Sequence, residues 1–361
     1  MAEQLKNLYS KEFIEKLANK LFLIYSDFEK ENFINSIFDN TWQDLELKQR
    51  MRHIALTLNR YLPFSYDKQL EILKKAKEDF TGLEAMVFQD FVEVFGLDDF
   101  EESMKALEVF TINSSSEFAI RQCILKYENE TMNQMKLWSQ SSNEHLRRLA
   151  SEGCRPRLPW AIALPKFKQN PTKALEIIEL LKNDKCLYVQ KSVANNLNDI
   201  SKDNPFLVIE FVKQNIGKTK ELDWICKHGS RTLLKKGNKE ILALFSFDKS
   251  HHINITDFCY DKSVNVDENL TFSFEINSDE VIGNIRIEYV IYYLKSNNIH
   301  NKKVFMISQN EIKSSSKKFI KKQSFKNMTT RKHYLGKHFI AILINGVEVL
   351  KEEFYLNDTC N

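Results

Sequence analysis

The stretch FDKSHHINITDF, residues 247–258, marks a change in hydrophobic period along the chain. Before it, segments such as KEFIEKLANKLFLI (11–24) repeat apolar residues at i, i+3, i+4 and i+7, which is typical of helices that pack one face on a core. After it, apolar and polar residues alternate, as in ENLTFSFEIN (268–277), which indicates half-buried strands. The sequence therefore predicts an all-α domain over 1–248 and an all-β domain over 252–361.

The all-β part contains seven such alternating segments, rich in Ile, Val, Phe and Tyr. NSDE (277–280) and KSNN (295–298) indicate hairpins between them, and the Asn-Gly pair of INGV (344–347) is typical of a type I′ turn. Seven short strands in so few residues are typical of an immunoglobulin-like sandwich. We therefore predict a multi-domain chain, in which an all-α helical-repeat solenoid is followed by an all-β sandwich, with a linker at 247–253.

The 361-residue chain has a formal net charge of +3 that is unevenly distributed. Residues 1–100 hold 13 Lys and Arg against 18 Asp and Glu, whereas residues 101–250 hold 24 against 18. Residues 302–337 hold 11 basic residues and one acidic residue. This polarity predicts a polyanionic partner for the middle and late parts of the chain.

The same composition argues against several classes of protein. No window approaches the roughly 20 apolar residues of a membrane-spanning helix, and the acidic, helical start is unlike a signal or transit peptide. The six cysteines are scattered without a CxxC pair, which argues against a zinc site or a disulfide framework. We expect a cytoplasmic protein that does not contact membranes.

A polar stripe recurs on four of the predicted helices, with charged residues four apart and therefore on one helix face. Its basic members at 148, 191 and 227 are 43 and 36 residues apart, close to the period of about 40 residues in HEAT-type repeats. Cations on the concave face of such a solenoid suit phosphates, so nucleic acid is favoured over a protein ligand. The stripe comprises Glu117 and Arg121, Arg148 and Glu152, Lys191, Asn195 and Asp199, and Lys227, Arg231 and Lys235.

Carboxylates within a phosphate-binding stripe need an explanation, because they repel the ligand. Glu152 precedes Gly153, a predicted helix C-cap, and Asp199 lies near another helix end, where the helix dipole disfavours an anion. Such carboxylates could hold Mg²⁺ for phosphodiester cleavage, or stabilise a sugar cation during cleavage of a glycosidic bond. The arginines around Glu152 favour the second use, which requires no metal.

Purely structural interpretations remain open for these carboxylates. Ser114 and Glu117 have the spacing of a capping box. Glu152 could form salt bridges with its arginine neighbours, and Asp199 could occupy a turn at the helix end.

Two further residues also have alternative interpretations. Trp160 follows two prolines that stiffen the chain, and it could instead be a core residue that opens a helix over WAIALPKF (160–167). His228 suits packing or a phosphate contact better than the role of a catalytic base.

Four motifs together resemble the HEAT-like-repeat alkylpurine DNA glycosylases of the AlkC branch. The resemblance covers residues 1–248, and the appended sandwich is similar to the immunoglobulin-like domain found in a subset of that branch. The motifs are SSSEFAIR (114–121), LRRLASEGCRPRLPW (146–160), VQKSVANNLNDISKDNP (189–205) and HGSRTLLKKG (228–237).

This resemblance implies a monofunctional glycosylase that removes 3-methyladenine and 3-methylcytosine from alkylated double-stranded DNA without flipping the base into a pocket, and without metal or cofactor. It implies catalytic roles for Glu117, Glu152 and Asp199, and a sugar contact for Trp160. The residues expected to contact DNA are Arg121, Arg148, Arg155, Arg157, Lys166, Lys191, Lys227, His228, Arg231 and Lys235, of which Lys166 and Lys235 rest on charge placement alone.

Other readings of the sequence stay open. The main alternative is a non-catalytic HEAT-repeat DNA-binding or scaffold protein. The further alternatives are a solenoid that binds an acidic peptide and a Mg²⁺-dependent nuclease. We expect the basic segment 302–337 to be a second DNA contact, although a lysine-rich sheet edge that prevents aggregation would look the same. We expect a monomer, because a solenoid that wraps DNA needs no partner subunit.

Overall fold

The computed structural model describes residues 4–63, 65–247, 253–328 and 332–358. These contain sixteen α-helices followed by eight β-strands, which confirms the predicted order of an all-α and an all-β part. The helices are α1 Lys11–Ile24, α2 Lys30–Ile37, α3 Leu47–Tyr61, α4 Tyr66–Lys77, α5 Met86–Phe95, α6 Phe100–Thr111, α7 Ile120–Lys126, α8 Glu128–Ser139, α9 Glu144–Gly153, α10 Pro165–Gln169, α11 Thr172–Leu181, α12 Leu187–Ile200, α13 Pro205–Asn215, α14 Lys220–Gly229, α15 Arg231–Lys235 and α16 Lys239–Leu244.

The chain forms two compact units. The first comprises Met1–Val208 and Gly217–Gly229, and the second comprises Ile209–Ile216 and Ser230–Asn361. Most of the linker predicted at 247–253 lies outside the described residues, so the domain limits 1–248 and 252–361 stay predictions.

The helices of the first unit pack on neighbours one to three places along the chain, as in a stacked helical repeat. Contacts join α3 to α5, α4 to α6 and α12 to α14, besides successive pairs such as α8 and α9. The apolar faces predicted for α9 and α12 are confirmed, since Leu149, Val193 and Leu197 are completely buried. This packing places the polar faces of α9 and α12 side by side, because the two helices are in contact.

The second unit contains a sandwich of two sheets, with strand orders β1-β3-β6 and β2-β8-β7-β4-β5. Its buried core is rich in Ile and Phe. The strands are β1 Asn254–Tyr260, β2 Ser263–Asn265, β3 Asn269–Asn277, β4 Gly283–Leu294, β5 His300–Ile312, β6 Ser316–Ser324, β7 Gly336–Ile344 and β8 Val347–Asn357.

The predicted turns are correct in two cases and wrong in one. Asn345 and Gly346 have φ of 48° and 79°, as a type I′ turn between β7 and β8 requires. KSNN joins the paired strands β4 and β5. NSDE, however, joins β3 to β4, which belong to different sheets, so it is a crossover and not a hairpin. The three-residue β2 was not among the seven predicted strands, because it is too short to show alternation.

The basic segment 302–337 supplies most of β5 and β6, each of which forms the edge of its sheet. An edge position suits both the expected DNA contact and the alternative of lysines that prevent strand pairing. Residues 329–331 lie outside the described part of this segment.

Two glycines bring the helical part of the second unit against its sandwich. Gly237, which follows α15, and Gly346 both have positive φ, at 68° and 79°. A Cβ atom on Gly346 would lie 2.8 Å from the Cα atom of Gly237 and 2.9 Å from a methyl group of Leu242. The β7–β8 turn therefore packs on α16 and the turn before it, at a separation that only glycine permits.

Within the described parts of the chain, no helix has the length and apolar character needed to cross a bilayer.

Candidate active site

Three carboxylates and three cations alternate along a continuous line of ion pairs in the first unit. We call these six residues the ion-pair line. It runs from Glu117 to Arg148 (2.6 Å), Glu152 (3.7 Å), Arg155 (2.5 Å), Asp199 (2.8 Å) and Lys202 (2.8 Å).

Each member of the line is positioned by a specific element. Arg148 and Glu152 are one helical turn apart on α9, and Arg155 follows directly after that helix. Asp199 lies at the end of α12, which packs against α9. Glu117 precedes α7 in a turn, where Ser115 donates a hydrogen bond to its carboxylate at 2.9 Å. The structure therefore brings together all three carboxylates that the sequence singled out.

Burial increases along the ion-pair line from Glu117 to Asp199, whereas Lys202 at the far end is 36% exposed. The side chains of Glu117 and Arg148 are each 15% exposed, that of Glu152 is 7% exposed and that of Asp199 is 2% exposed. Glu117, Arg148 and Tyr188 line an open cavity of about 600 Å³. Among the three carboxylates of the line, Glu117 therefore faces the open cavity, whereas Glu152 and Asp199 lie in a low-dielectric environment.

Both arginines of the line are firmly charged. Burial alone would lower the pKa of Arg148, but Glu117 and Glu152 outweigh burial and raise that pKa above its usual value. Burial would also lower the pKa of Arg155, but Glu152 and Asp199 outweigh burial and raise that pKa as well. The guanidinium of Arg148 also lies 4.9 Å from the ring centroid of Tyr188. The line is thus a fixed set of charges that cancel within the site.

Trp160 is 63% exposed and has a left-handed φ of 62°. It lies in the irregular segment after α9, and α10 begins only at Pro165. The interpretation of Trp160 as a core residue that opens a helix over 160–167 is therefore wrong. Its aromatic ring is available for a ligand at the surface of the first unit.

Arg121 was expected to contact DNA, and the structure contradicts this. The residue is completely buried, and it donates hydrogen bonds to the carbonyl groups of Ile162 (2.6 Å), Gly153 (2.9 Å) and Arg155 (2.9 Å). Burial lowers the pKa of its guanidinium to about 10, so it remains charged at neutral pH. A phosphate cannot reach it without unfolding the segment that it holds.

Two of the other expected DNA contacts pair with carboxylates that do not belong to the ion-pair line. Arg157 is 39% exposed and pairs with Asp203 at 2.6 Å. Lys166 is 78% exposed and lies 3.1 Å from Glu128. Both can exchange a carboxylate for a phosphate at low cost, because exposed ion pairs contribute little stability.

The remaining expected contacts belong to other helices. Lys191 is exposed on α12, and Lys227 is exposed on α14. His228 stacks on Trp224, with ring centroids 4.9 Å apart. Arg231 and Lys235 begin and end α15, which is separated from α14 by Ser230 and belongs to the second unit. The stripe predicted over 227–235 is therefore not a single helix face.

The capping box predicted at Ser114 and Glu117 is absent. Ser114 donates a hydrogen bond to the carbonyl group of Gly82, and α7 begins only at Ile120. Glu117 is therefore free of a capping role.

Gly153 is not a left-handed cap, because it is the last helical residue of α9 and its φ lies outside the left-handed region. A Cβ atom at this position would lie 2.7 Å from a methyl group of Ile120 and 2.8 Å from that of Met135. The absent side chain lets α9 approach α7 and α8 closely.

We expect Gly153→Ala to destabilise the protein by about 1–3 kcal/mol, because the added methyl group overpacks a filled interface. Urea unfolding measures this loss. Gly217→Ala is a steric control, since nothing lies within 4 Å of a Cβ atom there, although its φ of 81° adds some backbone strain. Equal stability of Gly153→Ala and wild type would show that the interface can relax.

Several residues that complete the site were not predicted from the sequence. Ser192 donates to Glu152 at 2.6 Å, and Lys202 pairs with Asp199. Ser192 and Asp199 are seven residues apart, so their side chains project from the helix within about 20° of each other. Lys191 and Asp199 are eight residues apart, so their side chains do not share a direction in this way. This heptad spacing was the signal for Ser192. Tyr188 and Lys202 carried no comparable signal.

Among the described residues, no three histidine, cysteine, aspartate or glutamate side chains lie close enough together to hold a metal ion.

Comparisons with known proteins agree with this architecture. Residues 76–237 match the family described as DNA alkylation repair enzyme, and residues 255–358 match the family described as the C-terminal Ig-like domain of the uncharacterised protein YhaZ. The chain is 44% identical over 344 residues to the uncharacterized protein YhaZ of Bacillus subtilis (strain 168), covering 95% of this chain and 96% of that protein.

A solved structure is similar over the full length. It is the Pseudomonas fluorescens alkylpurine DNA glycosylase AlkC, bound to DNA containing an abasic site analog. The identity is 33%, the TM-score is 0.94, and the match covers 98% of this chain and 100% of that one. The chain therefore belongs to the AlkC branch of the HEAT-like-repeat alkylpurine DNA glycosylases, with a C-terminal immunoglobulin-like domain.

Proposed function

We propose that this chain is a monomeric, monofunctional DNA glycosylase that releases cationic N3-alkylated bases, 3-methyladenine and 3-methylcytosine, from duplex DNA. The observation that carries the proposal is the ion-pair line, which sets three carboxylates inside a group of cations, in a unit that also presents the exposed Trp160 five residues after Arg155. It stands in a chain whose full-length relative AlkC was solved with DNA containing an abasic site analog.

The reaction requires little of the protein besides electrostatics. The C1′–N bond breaks and its electron pair leaves with the alkylated base, which becomes neutral, so no general acid is needed. The deoxyribose becomes an oxocarbenium-like cation, water adds to it at C1′, and the added water then gives its proton to solvent water in the open cavity. Fixed carboxylates stabilise such a developing cation strongly, because their charges are already in place when the bond breaks.

The burial of the carboxylates suggests how they share this work. Glu117 lines the open cavity and would face the sugar, while Glu152 and Asp199 would act through their charge from behind it. Arg148 contacts both Glu117 and Glu152. A DNA phosphate that binds Arg148 would draw the guanidinium of Arg148 away from Glu117 and Glu152. The negative charge of these carboxylates would then act on the sugar.

The DNA contacts would come from cations at the surface around this line. Arg148, Arg157 and Lys166 pair with carboxylates at or near the surface in the free protein, and each can bind a phosphate instead. Lys191, Lys227 and His228 would extend the contact on the first unit, and Arg231 and Lys235 would be DNA contacts of the second unit. Arg155 is too deeply paired for this role and would hold Glu152 and Asp199 in place. Trp160 would pack on the deoxyribose, and the base need not enter a pocket.

The chemistry of the donors favours this reaction over metal-dependent cleavage. One carboxylate oxygen of Glu152 accepts a hydrogen bond from Arg155 and the other accepts one from Ser192. One carboxylate oxygen of Asp199 pairs with Arg155 and the other pairs with Lys202. A magnesium ion would have to displace these cations to gain oxygen ligands.

We expect the protein to release 3-methyladenine or 3-methylcytosine from methylated duplex DNA in the presence of EDTA, as measured by mass spectrometry of the free bases. Asp199→Asn should reduce this release, because it removes one fixed negative charge. Asp98→Asn, which alters an exposed pair with Lys126, is the control and should leave release unchanged.

Two results would replace the proposal. Intact DNA recovered despite tight, salt-sensitive binding would establish a binding protein without activity. Strand cleavage that EDTA abolishes would establish a nuclease.

A further inference from the structure

Arg121 ties together the two ends of one surface segment. Its Nε atom donates to the carbonyl group of Ile162, and Nη1 donates to those of Gly153 and Arg155. Between these carbonyls runs the segment 154–163, which carries Trp160. A guanidinium has a rigid planar fork of donors, so one buried side chain fixes the path of the chain before and after the tryptophan.

A second cation holds the tip of the same segment. Lys48, on α3, donates to the carbonyl group of Trp160 at 2.9 Å. Its ammonium group also lies 4.5 Å from the ring centroid of Phe118, which directly follows Glu117. Lys48 thus touches both the segment that presents Trp160 and the turn that presents Glu117. Because Lys48 is exposed, we expect this tie to be weaker than that of Arg121.

The backbone of Trp160 shows why such ties are needed. Its φ of 62° lies in the left-handed region, which is unfavourable for a bulky residue and persists only where the surroundings enforce it. The side chain is 63% exposed, so packing around the ring does not supply that constraint. A main-chain hydrogen bond from Ala161 to the carbonyl group of Leu158 (3.3 Å) closes a turn around Trp160. The hydrogen bonds from Arg121 and Lys48 hold that turn in place from its two ends and from its tip.

We infer that Arg121 is a positioning residue that holds Trp160 in its exposed pose beside the carboxylates, with Lys48 as a second tie. The inference rests on the proposed function for its catalytic consequence, and on the structure alone for its effect on Trp160. It also assigns a role to a buried cation that does not contact the ligand.

The test uses the full chain labelled with 5-fluorotryptophan. The four tryptophans give four ¹⁹F resonances, and Trp160→Phe identifies that of Trp160. In Arg121→Met we expect the Trp160 resonance to shift or broaden while the other three stay in place. Excision from methylated duplex DNA should fall about 100-fold with DNA affinity nearly unchanged, since a misplacement of about 1 Å at a reacting centre has that effect. Arg121→Lys keeps the charge with fewer donors and should restore part of both.

Arg147→Met is the matched control. Arg147, on α9, also donates to two main-chain carbonyls, those of Ser141 and Ser142, but its further partner is Asp184 and it does not touch the segment 154–163. It should leave the Trp160 resonance and excision unchanged.

The outcomes separate this inference from the proposed function. An unchanged Trp160 resonance in a folded Arg121→Met variant overturns the positioning role, as does a shift with an unchanged rate of excision. If Arg121→Met loses all four native resonances, Arg121→Lys and Lys48→Met decide instead, and an unchanged Trp160 resonance in both overturns the inference. The NMR measurement needs no DNA, so a wild-type protein that released no base would contradict only the proposed function.

Discussion

Glu152→Gln is expected to lower the rate of base excision by about 100- to 1000-fold, the usual effect of removing one preorganised electrostatic group from an active site. The glutamine has nearly the same shape and can still accept the hydrogen bond from Ser192 and face Arg155. The variant therefore removes the negative charge and leaves the packing of α9 nearly intact. Excision is measured under single-turnover conditions with methylated duplex DNA, so that product release does not contribute.

DNA affinity should be unchanged or higher in this variant, because the site gains one net positive charge towards a polyanion. Fluorescence anisotropy with duplex DNA containing an abasic site analogue measures this. Glu176→Gln is the control, since it alters an exposed pair with Lys136 on the helices behind the site. Weaker binding with undiminished excision would show that Glu152 serves binding, and would remove it from the proposed mechanism.

Arg155→Met is expected to destabilise the protein by about 3–5 kcal/mol, because it leaves two carboxylates without their shared cation. Arg155 contacts both Glu152 and Asp199, and all three side chains are less than a tenth exposed. The loss is measured as the change in the free energy of unfolding in urea. Arg157→Met removes an arginine two residues away whose pair with Asp203 is partly exposed, and should cost less than about 1 kcal/mol.

A second variant separates charge from packing. The variant combines Arg155→Met with Glu152→Gln and Asp199→Asn. It therefore also removes the two carboxylate charges that Arg155→Met alone would leave without this arginine. This triple variant should recover part of the lost stability while remaining inactive, since buried ion pairs can be replaced by neutral groups at little cost. Equal stability of Arg155→Met and Arg157→Met would mean that water reaches the carboxylates and replaces the arginine.

The parts of the fold that follow from hydrophobic period could be predicted from the sequence. Leu149 and Val193 repeat with the period of a helix, and burial follows that period directly. The Asn-Gly turn was predictable because few residue pairs adopt positive φ at both positions. NSDE was not, because polar turn residues look alike whether the next strand pairs with the previous one or crosses to the other sheet.

The candidate site was predictable in its carboxylates but not in the roles of its cations. Glu152 attracted attention because it opposed a local preference at the end of a helix. Arg121 and Arg148 each lie four residues from a glutamate in the sequence. Arg121, however, binds main-chain carbonyls some 30–40 residues further along the chain, whereas Arg148 lines the open cavity. That difference depends on where the segment after α9 folds back, which local sequence does not encode.

The close contact of Gly237 with Gly346 affects how the chain can be divided for expression. The alkylation repair family matches up to residue 237 and the Ig-like family matches from residue 255, so α16 falls between them. A fragment cut at the change in hydrophobic period, 247–253, would separate the β7–β8 turn from Gly237 and Leu242, against which it packs. A fragment that begins at Ser230 keeps α15, α16 and the sandwich together, and only a longer fragment also keeps Ile209–Ile216, which belong to the same compact unit.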